Sequence, residues 1–451
     1  MDPRDVDLSA VGYVEEEWFA SGTASDFTGV GDLDPDGFWG LRTKGSAPYA
    51  TRLVVRRPAD PADGNGVVAL EWLNVSALEL SPDWSYLSDA ITDEGVTWIG
   101  VSAQALGITG GQSLIETGSA DQDSANQGIR GTNPERYGRL DHPGDAFAYD
   151  IYSQVAAALR SPRGAAVLGG VPLERILAIG ESQSAGWLTS YIDGFQPTTD
   201  LFDGFFVHSR GSGSAGLDVA GPFYMSDVAT RFRTDLDMPI MVIEAETDVG
   251  SRGRYALARQ PDTEHLRVWE MAGTAHSDTY MVGSFDLGCG LINSGPQHWI
   301  AKAAFAGLLG WVETGEPPAS APRLETDGPT SFRRDEHGNT LGGVRTPAVD
   351  VPVSQLRGRR HRVRRPSARC SGRRLRSTPG PCGTCTRAAP STSSASRPRS
   401  TKRSGRGSSA RATATLIWPR HPRSRSPADW SPPWRPSRAR IGADPDPRPP
   451  S

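Results

Sequence analysis

A chain of 451 residues with 37% hydrophobic and 8% aromatic content can bury a sizeable core, which excludes wholesale disorder. No apolar run reaches the about 18 residues of a membrane span; the best candidate, Trp299 to Val312, is too short and contains Lys302. The N-terminal MDPRDVDLSAVG lacks the basic and apolar regions of a secretory signal, so the chain reads as soluble and cytoplasmic.

The net charge of −4 conceals an asymmetry. Of 48 Lys+Arg and 52 Asp+Glu, 24 and 3 fall in 357–451, which leaves 24 and 49 in 1–356. The front segment therefore carries −25 and the tail +21. Cysteine usage points to a reducing compartment, because only Cys289 lies in the front segment while Cys370, Cys382 and Cys385 are all in the tail.

Residues 1–66 mix short β-like runs such as Thr51–Arg57 with Gly/Asp/Pro turns and predict an antiparallel lead-in. A regular alternation follows. Val67–Leu73 predicts a buried strand, Trp84 to Asp93 a helix, and Val96–Val101 the next strand. A Gly/Ser/Asn/Asp-rich excursion from Gly107 to Leu140 is too long for a simple connection and predicts part of a binding site. Phe147, Ile151, Val155 and Leu159 recur every four residues, the stripe of an amphipathic helix. Ile176–Ile179, Phe205–Val207, Ile240–Ala245 and Leu266–Met271 predict further strands, with helices over Ser182–Ile192 and Gln297–Glu313. The second helix presents Ile300, Ala304, Leu308 and Trp311 on one face. Strands alternating with helices predict an α/β fold, a mostly parallel sheet covered on both faces.

The sharpest local feature is Gly180-Glu181-Ser182-Gln183-Ser184, directly after a predicted strand and opening a predicted helix. That context is what a nucleophile elbow requires: the turn is so tight that the positions two before and two after the nucleophile must be small. Gly180 suits it, and Ser184 is larger than the usual glycine but tolerable. A helix N-cap serine is the competing reading of the pentapeptide alone. The elbow would expose the Ser182 hydroxyl and aim the Gln183 backbone N–H into an oxyanion hole.

A serine needs a base, and the base an orienting carboxylate. On folds that use such elbows the acid and the histidine follow the serine in the chain. The strand at Ile240–Ala245 runs into Glu246 and Asp248, and the strand at Leu266–Met271 into His276. His276 is the candidate base and Asp248 the candidate orienter, with Glu246 the alternative. His142 precedes the serine, His208 precedes the acid, His265 stands before a strand and His298 lies within a helix, so each reads as structural or surface. The second oxyanion donor should come from the loop after Val67–Leu73, with Val75 or Ser76 supplying an N–H. Asn74 alternatively bridges backbone groups in that turn. No metal or organic cofactor is implied.

With these residues in place, the front segment resembles a bacterial family of α/β-hydrolase-domain proteins whose substrates are mostly unassigned. The carrying stretches are YATRLVVRRP (49–58), EWLNVS (71–76), WIGVSAQ (98–104), RYGRLDHPGDAFAYDIYSQ (136–154), GESQSA (180–185), IEAETDV (243–249), AHSD (275–278) and GNTLGGVRTPAVDVPVSQL (338–356). The match spans roughly 14–356. It implies the α/β-hydrolase fold over a domain 1–356 and a serine hydrolase acting on a small carboxylic ester. Acyl transfer by the same triad is the alternative. In the 136–154 stretch His142 and Asp145 are expected to fix a loop through side-chain hydrogen bonds.

After Leu356 the resemblance stops, and 357–451 reads as non-globular. Three readings compete for it. A disordered basic arm would bind nucleic acid through phosphate contacts, making the protein a binding module. Cys382-Gly-Thr-Cys385 suggests a redox or zinc pair, but it stands without a second pair. The third is a reading-frame error, the reading preferred here, under which nucleic acid is no partner. Only Lys44, Lys302 and Lys402 are lysines, which implies GC-rich codons. Codons for Cys370 to Thr386 can also be regrouped to read VLGSTAPFDAGTLRDLY, which resembles the family's own C-terminal segment.

Overall fold

A computed structural model describes residues 6–77, 79–115, 126–217, 221–250, 253–282, 292–328, 330–352, 354–356, 389–390 and 440–443. The first two strands, β1 (Tyr13–Gly29) and β2 (Leu41–Pro58), form an antiparallel hairpin paired along its whole length. Short β-like runs were the expectation; the strands are instead 17 and 18 residues long. The reason lies across the hairpin. Glu15, Glu16 and Glu17, an unpromising run for a strand, face Arg56, Arg57 and Arg52 at 2.7, 2.8 and 3.4 Å. Cross-strand pairing of opposite charges keeps these residues in the ladder.

The remaining strands are β3 (Val67–Trp72), β4 (Thr97–Val101), β5 (Arg175–Glu181), β6 (Gly204–His208), β7 (Ile240–Ala245) and β8 (Leu266–Met271). They extend the hairpin in the order β1-β2-β4-β3-β5-β6-β7-β8, and from β4 onward every neighbouring pair is parallel. Both faces are covered, so apolar side chains point to both sides of a strand. On β5, Ile176 and Ala178 join one core, while Leu177 and Ile179 join the other. Helices α2 (Ala148–Leu159) and α3 (Gln183–Ser190) pack on the first face through Ile151, Val155, Leu159 and Leu188. Helices α1 (Pro82–Asp93) and α4 (Gln297–Thr314) cover the second through Trp84, Ile91, Ile300, Phe305 and Trp311. The buried Glu71 carboxylate of β3 accepts N–H bonds from Asp83 and Trp84 (both 3.0 Å) and caps α1.

In a parallel sheet all the C-terminal strand ends open on one edge, and each starts a loop there. The Gly107–Leu140 excursion leaves from this edge after β4 and contains short helices at Gly128–Thr132 and Pro134–Tyr137, while 116–125 lie outside the described residues. The HPGD segment closes it as expected. His142 Nε2 donates to the Ala103 carbonyl (2.8 Å), its Nδ1 accepts from Gly144 N (3.2 Å), and Asp145 Oδ1 accepts from Ala105 N (2.8 Å).

In the tail, Ala389–Pro390 pairs antiparallel with Ser354–Gln355, and Arg440–Ala443 pairs antiparallel with β1. The other tail residues, with Cys382, Cys385 and the regrouped segment, lie outside the described residues. Cys289 does too. Among the described residues no helix is long and apolar enough to cross a membrane.

Burial pushes the His142 imidazole down to about 4. Protonation would also break the bond from Gly144, because Nδ1 could no longer accept. An unfolded histidine takes up its proton near 6.5, so between pH 6.5 and 4 the unfolded chain binds a proton that the folded chain refuses. This contribution to stability is present above 6.5 and is lost as pH falls towards 4. Urea unfolding across that interval should show a slope that His142→Asn reduces by up to one proton, about 1.4 kcal/mol per pH unit. An unchanged slope in the variant would refute the assignment.

Candidate active site

The edge of the sheet assembles the residues that the sequence singled out. Strand β5 ends at Glu181 and α3 begins at Gln183, which leaves Ser182 alone to make the turn. Its backbone sits at φ 62° and ψ −115°, a region non-glycine residues seldom enter. Ser182 N donates to the His208 carbonyl of β6 (2.9 Å), which anchors the strained residue to the sheet. A Cβ at Gly180 would lie 3.1 Å from the Ser184 Cβ and 3.0 Å from Leu188 Cδ1. Glycine at the first position is what leaves room for serine at the second.

Ser182 Oγ lies 2.7 Å from His276 Nε2, and His276 Nδ1 lies 2.8 Å from Asp248 Oδ1. These three residues come from the loops after β5, β8 and β7. Asp248 and His276 are buried, while Ser182 is partly exposed. The two loops after β7 and β8 are stitched together: His276 N donates to Thr247 Oγ1 (2.7 Å), and Gly273 N donates to Glu246 Oε2 (3.1 Å). Glu246 Oε1 also accepts from Arg334 Nη2 at 2.9 Å. Of the two candidate carboxylates, therefore, Asp248 meets the imidazole and Glu246 ties the loops to the segment around Arg334.

The loop after β3 faces the elbow. Asn74 Nδ2 donates to the Glu181 carbonyl (3.0 Å), and its Oδ1 accepts from Ser76 N (2.8 Å). The loop is closed by mutual backbone bonds between Asn74 and Leu80 (2.9 and 2.8 Å). The Ser76 N–H is thereby occupied, whereas the backbone N–H groups of Val75 and Gln183 have no partner among the described residues. Asn74 thus bridges backbone groups, as weighed from the sequence, and it does so between the loop and the nucleophile's own strand.

Sequence reasoning did not single out the part played by Glu181. Its buried carboxylate Oε1 lies 3.6 Å from His276 Nε2, so the imidazole has a carboxylate on each side. Its place beside Ser182 in the pentapeptide was the available signal. Thr247 and Arg334 were also passed over, and no local pattern marks them, because their contacts span 29 and 88 residues.

The other histidines are engaged elsewhere. Buried His208 is pushed down to about 4 by burial, with Nδ1 2.8 Å from Asp83 Oδ1 and Nε2 accepting from Gln297 Nε2 at 3.3 Å. His298 stacks on Tyr280 at 3.8 Å, and His265 lies 3.6 Å from Glu264. Among the described residues no group of three His, Cys, Asp or Glu side chains is placed to hold a metal ion.

Comparison with solved structures finds an esterase of the fungus Rhizomucor miehei at 12% identity, with 68% of this chain and 92% of that one covered and a TM-score of 0.34. An α/β serine hydrolase without a lid from Xanthomonas campestris is 13% identical, with 65% and 97% covered and a TM-score of 0.31. Esterase 2 of Thermogutta terrifontis is 11% identical, with 60% and 92% covered and a TM-score of 0.32. No curated protein sequence matches the chain. A family model described as an alpha/beta hydrolase domain matches residues 2–378, most of the chain's length. The chain belongs to the α/β-hydrolase domain family.

Proposed function

We propose that the protein is a serine hydrolase that cleaves a small carboxylic ester through an acyl-enzyme. The observation that carries this reading is the continuous relay from Ser182 Oγ through His276 to Asp248, at 2.7 and 2.8 Å, built on a positive-φ turn. His276 Nε2 takes the serine proton as Oγ attacks the ester carbonyl, and Asp248 keeps the Nδ1 proton in place and stabilises the imidazolium. The N–H groups of Gln183 and Val75 stabilise the tetrahedral oxyanion. The imidazolium then returns its proton to the departing alkoxide. Water, deprotonated in turn by His276, releases the acid and restores Ser182.

We take 1–356 as the domain responsible, a reading supported by the burial of Leu356 in the larger core. Every group in the relay precedes residue 357.

The full chain should cleave short p-nitrophenyl esters with a burst of one nitrophenolate per protein. Ser182→Ala should abolish the burst and lower kcat by roughly 10⁴–10⁶-fold. Equal, burst-free rates in both proteins would refute the serine reading.

The two carboxylates should separate cleanly. Asp248→Asn is expected to lower kcat by about 10⁴-fold with little loss of stability. Glu246→Gln should instead lower the melting temperature and leave kcat within about tenfold, because it loosens the bond to Arg334. A reversed pattern would make Glu246 the orienter.

Asn74→Ala releases the loop that holds the Val75 N–H. The expected loss is about 10²-fold in kcat with KM little changed, the signature of a donor used in the transition state. A loss confined to KM would place the loop in ground-state binding only.

A further inference from the structure

Two side-chain amides at the nucleophile turn are bonded to each other, and each keeps one buried polar atom unpaired among the described residues. Gln183 follows Ser182 on the elbow, and Gln104 leaves the C-terminal end of β4 on the same edge of the sheet. Both side chains are more than nine-tenths buried. Gln183 Nε2 donates to Gln104 Oε1 (2.7 Å) and to the Pro222 carbonyl (2.9 Å), which uses both of its protons. Gln104 Oε1 accepts a second bond from Trp72 Nε1 (3.1 Å), which uses both of its lone pairs.

The amide orientations follow from these partners. An indole N–H can only donate, so the oxygen of Gln104 must face Trp72; a carbonyl can only accept, so the nitrogen of Gln183 must face Pro222. What remains is fixed by elimination. Gln104 Nε2, a donor, and Gln183 Oε1, an acceptor, are buried and have no partner among the described residues. Buried polar atoms left unpaired are costly and uncommon, so such a pair next to a reacting serine calls for a partner that both accepts and donates.

The pair is also held stiffly. Ala103 O accepts from His142 and Ala105 N donates to Asp145, so the backbone on either side of Gln104 is pinned. Trp72 stacks on Trp187 at 5.3 Å, and Trp187 Nε1 reaches the same Pro222 carbonyl at 3.3 Å. Rigid, prepaid orientation of this kind belongs to a recognition site more than to a loose polar gap.

We propose that Gln104 and Gln183 form a polar subsite that reads a hydroxyl group close to the scissile carbonyl, so that the substrate is a hydroxylated ester. The hydroxyl oxygen accepts from Gln104 Nε2, and its proton goes to Gln183 Oε1. This rests on the serine ester hydrolase reading and names the substrate class for it.

The test compares kcat/KM of the full chain for ethyl butanoate, ethyl 2-hydroxybutanoate, ethyl 3-hydroxybutanoate and 2-hydroxyethyl butanoate, with fluorophosphonate labelling of Ser182 in parallel. At least one hydroxylated ester should exceed its parent by about tenfold or more. Gln104→Met, and separately Gln183→Met, which keeps the backbone N–H, should each bring that ratio close to one. If Ser182 is labelled but every ratio in the unaltered protein is near one, the subsite is refuted and the two atoms belong to a structural water. A preference that survives both variants also refutes it, since the hydroxyl is then read elsewhere. If Ser182 is not labelled and no ester is cleaved, the hydrolase reading has failed and the subsite falls with it.

Discussion

The site depends on one residue having to turn a strand into a helix. Ser182 accepts a φ of 62° because its neighbours give the chain no alternative: its N–H is bound to β6, and α3 packs against Gly180 through Ser184 and Leu188. Strain of this kind persists only where the surrounding structure over-determines it. Its result is directional. The hydroxyl is brought to 2.7 Å from His276 Nε2, and the first N–H of α3 is left with no helical partner of its own.

A parallel sheet converts this local event into a site, since every strand from β3 to β8 ends on the same edge. The loops arriving there are not rigid by themselves. They are held by bonds that cross from one to another: Asn74 to the Glu181 carbonyl, Thr247 to His276, Glu246 to Gly273 and Arg334. Each bond has at least one buried end, so breaking it strands the other partner in a place water reaches poorly. The arrangement is thereby all-or-none.

The carboxylates show how narrow the geometric margin is. Glu246 and Asp248 stand two residues apart in one helical turn, Glu246–Val249, and at about 100° per residue they project about 200° apart. One of them can face His276, and the other must face away, where it fastens the loops instead. Glu181 adds a second carboxylate near the imidazole, on the side of Ser182. Each imidazole nitrogen thus has a carboxyl group within 3.6 Å.

Much of this was legible along the chain because it depends on short-range patterns. Buried parallel strands are apolar runs such as Ile240–Ala245 and Leu266–Met271, whose bounds the structure repeats. The elbow is a five-residue motif between a strand and a helix, and the acid and base candidates follow from chain order. The hairpin β1–β2 was less legible, because three consecutive glutamates become strand residues only when three arginines on the other strand face them. The choice between Glu246 and Asp248, where the sequence could only prefer Asp248, and between Val75 and Ser76, which it left open, was likewise beyond short-range patterns. It turns on where side chains point and which N–H is already bonded, and those are set by partners up to 107 residues away. Sequence by itself determined the elements, their order and the types of residue carried to the sheet edge, since periodicity and turn chemistry are local. Tertiary structure alone decided which of those residues meet, because a hydrogen bond is a matter of a few tenths of an ångström between segments that the chain keeps far apart.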